Sequence, residues 1–179
     1  MLLVAPYACI GSYNGSAWAD ATAGVGLTMA SVYALAVHNG ELYAGGSFSG
    51  VGNKIAKWNG SSFIPVGTGM DSTVFALLSY KNELYAGGAF AWAGNSSFVV
   101  NNIARWNGQK WDSITNGGAY SSVSVLISML VDTVSNLLFV GASFAVGGVY
   151  SSVGIWDGNS WTILPEINNY TIARGMAIY

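Results

Sequence analysis

The sequence is poor in the residues that most catalytic chemistries require. A single cysteine, Cys9, rules out an internal disulfide, and a single histidine, His38, leaves too few ligands for a transition-metal centre. Only 8% of residues are charged, with six Lys and Arg against eight Asp and Glu. Nothing there neutralises a phosphate backbone, so nucleic acid is not an expected partner. There are only three prolines. Abundant instead are glycine, with 24 copies, and aromatic residues, with 7 Trp, 10 Tyr and 7 Phe. Aromatic side chains pack well on pleated surfaces and glycine turns the chain, so the composition predicts an all-β protein of many short strands. At 179 residues and 52% hydrophobic content, one compact domain with a substantial core is expected.

Residues 123–149 carry one charge, Asp132, and their length suits a bilayer-spanning helix. Gly141, Gly147 and Gly148 interrupt that stretch, and 132–136 reads as a turn, so paired strands are expected and no membrane-spanning segment. The apolar start, Met1 to Pro6, lacks the positive region of a signal peptide, and its hydrophobic part is too short for one. Residues 2–5 fit a strand of the repeat described next.

A motif of aromatic, Asn or Asp, Gly, two residues and a second aromatic occurs four times. It begins at Tyr13, Trp58, Trp106 and Trp156, at spacings of 45, 48 and 50 residues. A second motif precedes it: Glu41-Leu42-Tyr43-Ala44-Gly45-Gly46-Ser47-Phe48 returns as Glu83-Leu84-Tyr85-Ala86-Gly87-Gly88-Ala89-Phe90, and more weakly from Leu137 to Phe144. Upstream of each lies an apolar run, at 32–37, 74–80 and 123–131, closed by a turn such as Asn39-Gly40 or Lys81-Asn82. Each unit reads as a four-stranded antiparallel meander, with Asn-Gly or Asp-Gly supplying the positive φ of two-residue hairpins. In the second unit the strands are expected near 31–37, 41–44, 54–58 and 62–66. Repeats of this length with four strands each belong to β-propellers, whose sheets are the blades. About four units are expected, at 1–30, 31–72, 73–121 and 122–170, with 171–179 starting or completing a blade.

The order of apolar strand, Tyr-Ala-Gly-Gly and aromatic-Asn-Gly-x-x-Trp resembles kelch-type propeller repeats. It is closer to the variant in secreted and cell-surface repeat proteins, including the cortical cell-polarity marker family. The resemblance covers nearly the whole chain and implies an extracellular or cell-surface protein. Departures are Ala142 for the second glycine, Phe63 for Trp, and a first unit without the double glycine.

In the register of the repeat the chain is expected to open on a second strand, at 2–5, and to close on a first strand, at 172–178. Leu3, Val4, Ile172, Met176 and Ile178 are therefore the candidates for strand exchange. Unpaired edge groups favour occupation of that seam. Three arrangements satisfy it: a clasp within one chain, head-to-tail self-association into a homo-oligomer or filament, or further blades of a longer polypeptide.

Four N-glycosylation acceptors occur, at Asn14, Asn59, Asn95 and Asn169. Asn14 and Asn59 are also turn residues, which explains them structurally. The long connection 90–102 carries Trp92 and Phe98, expected either to pack back on the blade or to serve as a platform for a glycan or protein partner. Trp58, Trp106 and Trp156 hold repeat positions and are expected in the core. Glu41 and Glu83 occupy matching positions, which argues for a structural or solvated role over the paired carboxylates of a glycosidase. His38 is expected as a satisfied surface histidine, and Lys54, Lys57, Arg105 and Lys110 as charges that keep an exposed edge soluble. No catalytic, metal or cofactor residue is expected. The function expected is a non-enzymatic structural or adhesive module, with a carbohydrate-binding propeller as the alternative.

Overall fold

A computed structural model describes residues 2–4, 10–20, 27–28, 31–94, 99–114, 122–123, 125–126, 128–146, 149–165 and 173–177. Every regular element among them is a strand, and all pairing is antiparallel. The first sheet joins β1 (Leu2–Val4), β2 (Gly11–Tyr13) and β3 (Trp18–Asp20). A short strand, β4 (Leu27–Thr28), leads to the second sheet, formed by β5 (Val32–His38), β6 (Glu41–Gly46), β8 (Ile55–Trp58) and β9 (Phe63–Pro65). Between β6 and β8 lies β7 (Ser49–Gly50), which reaches back to pair with β4. The third sheet repeats the second with β10 (Val74–Tyr80), β11 (Glu83–Gly88), β12 (Ile103–Trp106) and β13 (Trp111–Ser113). In the fourth, β14 (Ser122–Val123) and β15 (Ser128–Asp132) share one partner, β16 (Leu137–Val146), followed by β17 (Val149–Trp156) and β18 (Trp161–Ile163).

The strands of the second sheet lie within two residues of the expected bounds. β6 runs two residues beyond expectation because both glycines stay in the ladder, Gly45 opposite Ala34 and Gly46 opposite Val32. The apolar run at 123–131, expected to be one strand, is instead two, β14 and β15, paired to different parts of β16. That break falls where Ala142 replaces the second glycine. The β16–β17 register shifts between Gly141 and Phe144, and β16 runs on to Val146.

The sheets pack face to face in sequence order. Side chains alternate along a strand, so the second and third sheets each feed two cores. In the second sheet Ala44 and Ala56 join Ile10, Val32 and Phe48, whereas Tyr43 and Ile55 face the other way, toward Val74, Leu77, Leu84 and Trp111 of the third. In the third sheet Tyr85 and Ile103 turn to Leu126, Leu138 and Trp156 of the fourth. A central strand buried on both faces must be apolar or small throughout. The Leu-Tyr-Ala-Gly-Gly run of β6 and β11 meets that demand, and in both strands Tyr through the second Gly is buried.

Glycine closes the spacing between sheets. A methyl on Gly45 would meet Val74 and Leu77, and one on Gly87 would meet Leu126, in each case side chains of the following sheet. The first strands are adjacent as well, with β10 in contact with both β5 and β15.

Candidate functional site

The four aromatic-Asn/Asp-Gly turns are built differently from the two-residue hairpins expected. Each spans four residues, and only the glycine takes positive φ, as at Gly15, Gly60, Gly108 and Gly158. The preceding Asn or Asp works through its side chain. Asn59 Oδ1 accepts from the backbone N–H groups of Ser61 at 3.0 Å and Ser62 at 2.9 Å. Asn14 and Asn107 do the same two and three residues on. Because that oxygen only accepts, a carboxylate serves equally. Asp157 takes the role with shorter bonds, 2.7 Å to Asn159 N and 2.6 Å to Ser160 N, and these bonds hold its carboxyl below the usual range. The true two-residue turns lie between first and second strands, at Asn39-Gly40 and Lys81-Asn82, where both residues have positive φ.

Asn14 and Asn59 are therefore exposed turn residues with an assigned structural duty. Asn95, Phe98, Asn169, Ile172 and Ile178 lie outside the described residues. Leu3 and Val4 are in β1, opposite Ser12 and Gly11.

Trp92 lies in the connection between β11 and β12, at the strand ends opposite the hairpin turns. Its backbone is tied to the connection between the second and third sheets: Trp92 N donates to Asp71 Oδ1 at 3.0 Å and Asp71 N donates to Trp92 O at 3.3 Å. A bridge between Met70 and Ala93 and a bond from Gly94 N to Gly69 O, at 2.7 Å, complete the anchor. The side chain stays 43% exposed. Trp156 is buried, whereas Trp58 and Trp106, expected in the core, are half-buried at its margin. Their neighbours five residues on lie against them, with ring centroids 5.2 to 5.3 Å apart in the three Trp-led pairs.

Glu41 and Glu83 have matching surroundings. Glu41 pairs with Lys57 at 2.9 Å across β6 and β8 and accepts from the Tyr43 hydroxyl at 3.2 Å. Glu83 pairs with Arg105 at 3.2 Å and accepts from the Tyr85 hydroxyl at 3.3 Å. Lys57 and Arg105 thus belong to cross-strand ion pairs. Hydrogen bonding from Lys57 lowers the Glu41 pKa, and burial pushes Tyr43 and Tyr85 each up to about 12.

His38 is a correction to the sequence reading. It is buried, not on the surface, with Nδ1 2.9 Å from the Ser79 hydroxyl on β10 and Nε2 3.1 Å from Asn39 Nδ2. Burial lowers its pKa, against an opposing effect of Glu41. The signal for this was the position itself, since His38 matches Tyr80 at the end of a first strand. Sequence reasoning also missed Asn53-Lys54 and Asn101-Asn102, two consecutive positive-φ pairs just before β8 and β12, although both precede the Ile-Ala-Lys/Arg-Trp strand by the same offset.

Residues 173–177 form no strand, and no ladder joins them to β1 among the described residues. They nonetheless lie against the fourth sheet: Ser128 Oγ donates to Ala173 O at 3.1 Å, and a methyl on Gly141 would strike that carbonyl. No group of three or more His, Cys, Asp and Glu residues is placed to hold a metal among the described residues. No helix there is long and apolar enough to cross a membrane. No family model matches the chain, and no curated protein matches it.

Proposed function

We propose that the chain is a kelch-like β-propeller module of the extracellular or cell-surface kind, non-enzymatic, acting as a structural or adhesive element. The observation that carries the reading is the place of Ala173. Gly45 faces Val74 and Leu77, Gly87 faces Leu126, and Gly141 faces Ala173, which supports reading 173–177 as the start of the next sheet's first strand. In the first sheet β1 matches a second strand, and its partner among the described residues is β2 alone. A first strand from 173–177, of the same chain or of a second copy, supplies the complement and removes an open edge.

The test is cross-linking with solution mass. In a Cys9→Ser background, Leu3→Cys with Met176→Cys is oxidised and its mass measured by light scattering. A cross-linked monomer supports an internal clasp, and a ladder of oligomers supports strand donation between copies. A monomer with both thiols free overturns the shared seam. Cytosolic protein with all of Asn14, Asn59, Asn95 and Asn169 unmodified counts against the location.

The exposed Trp92, on a backbone fixed by Asp71, supports a second reading as a glycan-binding propeller. A glycan array on which Trp92→Ala binds like the native chain removes that role.

A further inference from the structure

Two successive inter-sheet interfaces use the same positions and end differently. Between the third and fourth sheets, Tyr80 ends β10 and its hydroxyl donates to Asn136 O at 2.7 Å. Lys81 Nζ donates to Asp157 O and sits 5.3 Å from the Tyr80 ring centroid. Trp156 Nε1 donates to the Tyr85 hydroxyl at 3.3 Å.

Between the second and third sheets the corresponding residues are His38 and Asn39. The imidazole is shorter than a phenol and turns to Ser79, while Asn39 bonds back to His38, so neither fills the space toward Trp106. What remains is a cavity of about 220 Å³ bounded by His38, Glu41, Tyr43, Lys57, Val66 and Trp106. Trp106, the counterpart of Trp156, makes no hydrogen bond through its indole N–H to any described residue, unlike Trp156.

We propose that this cavity binds a single neutral sugar ring, free or at the end of a glycan. Its volume falls below the about 300–1,000 Å³ of sites for drug-sized ligands, which limits the occupant to one ring. Glu41 and Lys57 neutralise each other at 2.9 Å, and burial disfavours a charge on His38, so the lining offers no net charge to an ion. The same pair presents a carboxylate and an ammonium to ligand hydroxyls, beside the Tyr43 hydroxyl. Trp106 and Tyr43 add aromatic surface for the apolar face of a pyranose. The site is distinct from Trp92 and independent of how the terminal seam is closed.

The experiment titrates the native chain with methyl glucoside, methyl galactoside, methyl mannoside and N-acetylglucosamine while following backbone amide and indole resonances by NMR. At least one sugar is expected to shift residues 38–43 and 106–108 while leaving Trp92 in place. A His38→Tyr, Asn39→Lys double variant, which copies the Tyr80-Lys81 pair, is expected to weaken binding at least about tenfold. Trp92→Ala is expected to bind normally. Absence of any shift at 38–43 and 106–108 in the native chain overturns the proposal without needing the variant. Unchanged affinity in the folded double variant overturns it as well.

Discussion

The indole N–H of Trp111 donates to the carbonyl of Val66 at 3.1 Å, fastening the outer strand of the third sheet to the end of the second. One sheet later Trp161 Nε1 donates to Ile114 O at 2.9 Å, the same bond at the same repeat position. The tryptophan that closes the turn in the third and fourth sheets is thus an inter-sheet staple. Phe63 holds that position in the second sheet and has no N–H to give.

Trp111→Phe is therefore expected to keep the fold and lose stability by about 1–3 kcal/mol, since a buried carbonyl loses its donor. Trp161→Phe should cost less, because Trp161 is only half-buried. Denaturant midpoints with unchanged slopes check both.

The glycine pairs should respond unequally to alanine. A methyl on Gly87 would meet only side-chain atoms, those of the buried Leu126, which yield more readily than backbone. One on Gly88 would meet the Thr73 carbonyl, which is held by a 2.9 Å bond from Ala89 N. Both substitutions overpack at about 1–3 kcal/mol, with Gly88→Ala the more costly. Equal midpoints for the two variants would contradict this assignment.

At acidic pH, His38 should set part of the stability profile. Its folded pKa lies below the ordinary 6.5, so below that value the unfolded chain binds more protons. The contribution is complete above about pH 6.5 and is lost as pH falls toward the folded pKa. His38→Gln should flatten the stability curve in that window, measured by urea unfolding at a series of pH values.

At the alkaline end, Tyr43 and Tyr85 titrate at about 12 against an ordinary 10.0. Their contribution is complete below pH 10 and is lost as pH rises through 12. Ultraviolet titration of the folded chain should show phenolate absorbance lagging behind that of the unfolded chain. Phe at both positions should remove most of the lag.

Asn59→Asp should leave stability near that of the native chain at neutral pH, because Asp157 already fills the same role. Asn59→Ala should cost about 0.5–1.5 kcal/mol, the value of a side-chain acceptor for otherwise unpaired N–H groups. Thermal unfolding of the two variants side by side distinguishes them.

What the sequence determined by itself is the repeating strand order and the positions of the turns. Alternating apolar residues, paired glycines and Asn-Gly steps act over a few residues, and local physics reads them directly. Glu41 and Glu83 were also legible as non-catalytic, and Trp156 as core, because they recur at fixed offsets. The tertiary structure decided everything that depends on which faces meet. It buried His38 against Ser79, left Trp92 exposed over Asp71, divided the first strand of the fourth sheet, and opened a cavity where Tyr80 and Lys81 have smaller counterparts. Those outcomes depend on packing between residues far apart in the chain, 21 positions for Trp92 and Asp71 and 41 for His38 and Ser79, where the size of one side chain matters only once a neighbouring sheet is set against it.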